Sequence, residues 1–182
     1  MQLEPGRLVV ATPALSDESF RRTVVLLLQH SDDDGALGVV LTRPSRTPLE
    51  AVVPGWEDLA AGPAVVFTGG PVQTDAGICL GRIAPGTGGP GFAPLADPQL
   101  GTVDLESAPD AGLRAVRLYA GYAGWSSGQL ESEIEQGSWW VLDALPGDPF
   151  VPSPQALWSD VLRRQGPPLA FMASATGDPG MN

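Results

Sequence analysis

Apolar positions in this chain come in short runs, too brief for independent helices and bounded by polar, glycine or proline residues. Arg7 to Ala11 reads as a first strand closed by Thr12-Pro13. Thr23 to Gln29 is a second, too short for an independent helix and rich in branched side chains. His30 to Gly35 is a polar turn, and Ala36 to Leu41 returns as the other arm of a hairpin. Ala64 to Thr68 is another buried strand ending at Gly69-Gly70-Pro71, and Ala76 to Ile83 is placed to pair with it. Thr102 to Leu105 and Arg114 to Tyr122 complete the series before a last strand near Ser138 to Leu142.

Helical signals are fewer. Thr47-Pro48-Leu49-Glu50 carries a cap, a proline at the first helical position and a glutamate able to reach back. Ser126 and Gln129 form a second capping box, with Leu130 and Ile134 four apart giving that helix its inward face. Ser153-Pro154 opens a third helix, in which Leu157, Trp158, Val161 and Leu162 face the core and Gly166 ends it. Pro85 to Pro98, dominated by glycine, proline and alanine, is the least ordered stretch. Strands outnumber helices and several connections are hairpins, which points to an α+β arrangement and away from a doubly wound fold. Residues 1–176 read as a single domain, with 177–182 as a frayed tail.

Composition narrows the chemistry. The chain has 182 residues and a formal net charge of -11, and its ten basic residues are all arginine. A surface of that sign repels phosphate backbones, which disfavours direct nucleic-acid binding. The absence of lysine excludes Schiff-base, P-loop and Ser-Lys chemistry. Cys79, the single cysteine, leaves no intramolecular disulfide or cysteine-based zinc site and reads as a small buried hydrophobe. The segment Met1 to Pro5 has neither basic nor apolar character, and no apolar run is long enough for a membrane helix, so the expectation is a cytoplasmic protein without membrane contact.

The densest candidate region is Gly121 to Gly137, read as a strand end, a glycine-rich turn holding Trp125, and an acidic helix bearing Gln129, Glu131 and Glu133. Gly124-Trp125-Ser126-Ser127-Gly128 matches the nucleophile-elbow pattern between strand and helix. Its partner is missing: His30, the chain's one histidine, precedes the serine, so Ser126 reads as a helix cap and a serine hydrolase is a remote alternative. Gly86 to Gly91 matches a dinucleotide fingerprint but opens no helix and contains Pro90, and is read as a loop. Asp32-Asp33-Asp34 lacks the spaced ligands of a calcium loop and is read as solvated, so neither metal nor cofactor is assigned. Arg43, at the far end of the first hairpin, could approach His30 and bind an anion with it, or pair with Asp17 or Glu18. Trp139, Trp140 and Trp158 read as core or interface, while Trp56 and Trp125 lie at turns suited to lining a pocket.

Four segments, Phe20 to His30, Gly35 to Pro44, Phe67 to Val72 and Gly121 to Glu131, together resemble the YqgE/AlgH family of bacterial proteins, over roughly Gly6 to Leu162. The resemblance implies a coiled, mixed β-sheet with barrel character and helices packed outside. It brings no enzymatic activity, and the AlgH name brings a label of transcriptional regulator of alginate synthesis. Thr42 departs from the asparagine usual before Arg-Pro, and Ser126 from the usual small residue. The reading that follows is a non-enzymatic regulatory or binding protein acting through a protein partner or a small ligand. Its candidate ligand-binding residues are His30, Arg43, Gly69, Gly70, Trp125, Gln129 and Glu131, all at strand ends or tight turns. The alternative is an enzyme using Glu131 or Glu133 as a base in a glycine-lined cleft.

Overall fold

The computed structural model describes residues 2–174; the expected end of the domain at 176 and the tail from 177 lie outside them. Ten strands, β1 (Leu8–Ala11), β2 (Val24–Ser31), β3 (Gly35–Val40), β4 (Pro44–Pro48), β5 (Val65–Thr68), β6 (Val72–Ile83), β7 (Phe92–Pro94), β8 (Leu100–Val103), β9 (Leu113–Trp125) and β10 (Trp139–Leu142), form one strongly curled sheet, a half-barrel. Its order is β10-β1-β2-β3-β9-β6-β8-β7, with β4 paired to β5 and β5 to β9. The β5–β9 ladder is parallel and the others between named strands are antiparallel. Three short helices, α1 (Gln129–Glu135), α2 (Leu157–Arg163) and α3 (Leu169–Met172), pack outside the sheet. No helix among the described residues is long and apolar enough to cross a membrane.

The unbroken apolar runs of β1 and β2 follow from burial on both faces. Leu8, Val10, Val24 and Leu26 meet Trp158, Val161 and Leu162 of α2 on one side. Val9, Ala11, Val25 and Leu27 meet Trp125, Trp139 and Leu130 of α1 on the other. A third cluster, including Leu49, Trp56, Cys79 and Leu118, fills the second half of the sheet. Burial of Cys79 there pushes its thiol up to about 12, so it is a packing residue and not a nucleophile.

Several local expectations give way to tertiary demands. β6 does not pair with β5; both bind β9, where Ala120 faces Thr68 of β5 and Gly77 of β6, hence on opposite edges. The connection must therefore pass across β9. Gly69 and Gly70 make this possible: a Cβ at Gly70 would lie 2.1 Å from the Tyr122 carbonyl carbon, and its φ is +152°. Both glycines are buried against the sheet backbone and line no part of the cleft described below. The expected glycine-rich turn is instead strand, since β9 continues through Gly121 and Gly124 and pairs with β3 at Ala123 to Trp125. Thr47 belongs to β4 and caps nothing; a single 3-10 turn, Leu49–Ala51, follows it. Ser153 likewise makes no side-chain cap. β7 lies within the stretch read as least ordered, and α3 was not foreseen, because four residues carry too little periodicity to register.

Candidate functional site

His30 reaches the site through an irregularity in β2. The β2–β3 register runs Leu27 to Gly38 and then Gln29 to Leu37, a bulge at Leu28. One extra residue reverses the alternation of everything beyond it. Without the bulge, Gln29 would stand opposite Ala36; with it, His30 does, on the face covered by α1. There the Nε2 nitrogen of His30 lies 2.6 Å from Oε1 of Glu131, with the side chains 12% and 39% exposed. The hydrogen bond from His30 is the main cause holding the Glu131 carboxyl below the usual glutamate range, so the carboxylate accepts and the imidazole donates.

The turn after β2 is fastened to the segment linking β9 and α1. The Ser127 hydroxyl donates to the Asp32 carbonyl, and Gly35, at φ +87°, lies so close that a Cβ would stand 2.0 Å from the Trp125 carbonyl oxygen. Within the turn, the Asp34 amide donates to the Ser31 hydroxyl at 2.9 Å. A cleft of about 450 Å³ opens here, bordered by Gln29, His30, Asp34, Leu37, Tyr122, Gly124 and Trp125 among others.

Of the candidate residues, the structure thus brings His30, Glu131 and Trp125 together. Trp125 borders the cleft with little of its surface, because its indole packs in the core against Phe20 at 6.3 Å and edge-on to Trp139 at 5.7 Å. Gln129 is occupied with the chain itself: its Oε1 accepts the Ser126 amide at 3.0 Å and the Ser126 hydroxyl at 3.2 Å. That is one half of the expected capping box; the N-cap position falls to Gly128, in the left-handed conformation. Ser126 is therefore bound to an amide oxygen, while the histidine a hydrolase would need is engaged with Glu131. Arg43 stays at the far end of β3, where its guanidinium donates to the Arg21 carbonyl at 3.2 Å. Burial and the neighbouring Arg21 lower its pKa, and Asp17 offsets part of this. It neither meets His30 nor forms an ion pair with Asp17 or Glu18 among the described residues. Trp56 is buried in the third cluster and lines no described cleft.

Sequence reasoning missed Asp32, Gln29 and Tyr122 as neighbours of His30. The acidic turn was visible, but its meeting with a helix about a hundred residues later depends on β9 lying beside β3.

A curled α+β half-barrel, with a cleft where its first hairpin meets the strand-to-helix junction, defines the class of scaffold. The chain belongs to the AlgH-like family, whose model matches residues 8–170. A UPF0301 protein of Streptomyces avermitilis is 47% identical, the match covering 97% of this chain and 94% of that one. One of Mycobacterium tuberculosis is 45% identical over 95% of this chain and 88% of the other. A crystal structure of a Corynebacterium diphtheriae protein superposes with a TM-score of 0.90 at 33% identity, covering 96% and 94% of the two chains. The solution structure of the AlgH protein from Pseudomonas aeruginosa superposes with a TM-score of 0.66 at 28% identity, covering 98% and 99%.

Proposed function

We propose that this chain is a non-enzymatic binding protein whose cleft beside His30 takes a small neutral or cationic ligand, and that any regulatory effect passes through that occupancy to a protein partner. The observation that carries the reading is the cleft itself: about 450 Å³, floored by strands and bordered by an imidazole already oriented by a carboxylate. That volume falls within the range of about 300–1,000 Å³ usual for small-molecule sites. Asp34 and Glu131 stand nearby, whereas Arg43 lies too far away to complement an anion, so phosphates and carboxylates are poor candidates. The net charge of -11 works against a regulator that grips DNA directly. A cytoplasmic setting belongs to this reading. As a general base Glu131 is disfavoured, because its pKa is moved away from neutrality and not toward it.

A thermal-shift screen tests the proposal, with amino acids, nucleosides, amino sugars and polyamines set against nucleotides, phosphosugars and acyl-CoAs. Saturation at a hundredfold excess over Kd stabilises the folded state by about 2.7 kcal/mol. The expected result is a shift with a neutral or cationic compound that is lost in Gly124→Val, which fills the cleft from an exposed strand position. A shift retained in that variant, one produced by anions alone, or no shift from any compound overturns the reading.

A further inference from the structure

The residues that orient His30 also assemble a donor set. A nitrogen of His30, a carboxylate oxygen of Asp32 and a carboxylate oxygen of Glu131 all lie within 4.8 Å of one another. They come from three elements, β2, the turn after it and α1, each fixed independently: His30 by the bulge at Leu28, Asp32 by the Ser127 hydroxyl on its carbonyl, and Glu131 by the first turn of its helix. We propose that His30, Asp32 and Glu131 bind one zinc-class divalent cation beside the cleft. The acidic turn, read from the sequence as solvated, contributes one carboxylate to this site, that of Asp32.

The geometry is close to closure. A first-row dication sits about 2.0–2.2 Å from nitrogen and oxygen ligands, which spaces adjacent donors roughly 3–3.5 Å apart. Asp32 is exposed, so rotation of its side chain can shorten the remaining gap without moving the core. Between His30 and Glu131, now 2.6 Å apart, the cation replaces the shared proton and both groups become ligands. Two carboxylates balance the charge of a dication. The imidazole favours zinc, cobalt or nickel over calcium and magnesium, which prefer oxygen alone. Three protein ligands leave at least one coordination position open, as in sites that exchange a water or ligand, unlike closed structural sites. The proposal uses the same site as the cleft reading and gives it a ligand class, a metal ion or a molecule that completes the shell of one.

The test uses the full chain, stripped with chelator and desalted, then titrated with Zn2+ by calorimetry and with Co2+ by its visible absorption. One equivalent of Zn2+ per chain is expected, together with a rise in melting temperature that Mg2+ and Ca2+ do not produce. Asp32→Asn alters only an exposed turn residue and retains the apo melting temperature; it should weaken Zn2+ roughly tenfold or more, as should Glu131→Gln. Unchanged affinity in Asp32→Asn overturns the site, and so does an equal response to Ca2+ or Mg2+. Zinc binding without any response to the organic panel supports the site and overturns the cleft reading alone. An organic ligand bound equally in chelator and in Asp32→Asn, with no zinc uptake, overturns the metal site alone.

Discussion

Two acid–base pairs of this molecule, Arg164 with Asp148 and His30 with Glu131, are built differently. Arg164, after α2, grips Asp148 with both terminal nitrogens at 2.8 and 2.6 Å, and the Leu145 amide donates to the same carboxylate at 2.8 Å. Asp148 is only 4% exposed, the pairing is bidentate, and the hydrogen bond to Asp148 raises the pKa of Arg164 further. Such a pair has no free valence for anything else and no proton to give up near neutral pH. His30 and Glu131 share one contact, leave the carboxylate 39% exposed and stand beside a cleft. Saturation of hydrogen-bond partners, together with access, separates a brace from a site.

Breaking the brace should have the largest effect. Asp148→Ala leaves a partly buried guanidinium and the Leu145 amide without their acceptor, and should lower stability by about 3 kcal/mol, read from the midpoint of urea unfolding. Gly70→Ala tests whether the glycine pair belongs with the brace or with the site. Its Cβ would collide with Tyr122 backbone that has no room to yield, so about 2 kcal/mol should be lost. Zinc affinity of the folded fraction should stay unchanged; a selective loss of metal binding would return Gly70 to the site.

The smallest effect sharpens the contrast through pH. The folded-state pKa of Glu131 is depressed below 4.5, so its contribution to stability is present above that value and lost as pH falls through the folded pKa. Because the group is well exposed, the contribution stays below about 1 kcal/mol. The melting-temperature gap between the wild type and Glu131→Gln should be open at pH 6 and should narrow below about pH 4. A gap that widens on acidification would show that Glu131 is not held as a carboxylate by His30.

Most strands were legible in the sequence, because β1, β2, β3 and β5 are built on short apolar runs bounded by polar turns or glycine, and β9 is rich in apolar residues although Arg114 and Arg117 interrupt it. The core helix α2 was legible from Leu157, Trp158, Val161 and Leu162 at helical spacing. Their partners were harder to read. Adjacency suggested a β5–β6 hairpin, but both strands gain more by joining the two edges of β9. The Gly121–Gly124 segment resembled a turn because glycine permits many conformations, and pairing of Ala123 to Trp125 with β3 makes its second half strand.

The candidate site divides along the same line. The sequence by itself determined that the chain is a single acidic, lysine-free chain of AlgH-like pattern, rich in strands, with its distinctive residues at His30 and at Trp125 to Glu131. Those properties rest on composition and on spacing over a few residues, which propensity and hydrophobic period control. Tertiary structure alone decided that His30 meets Glu131 and Asp32 and not Arg43, that Gly69 and Gly70 lie buried against the sheet backbone, and that Gln129 binds Ser126. A bulge reverses the facing of every later residue, and a strand distant in the sequence, β9, closes beside β3; neither leaves a mark in the local pattern of the chain.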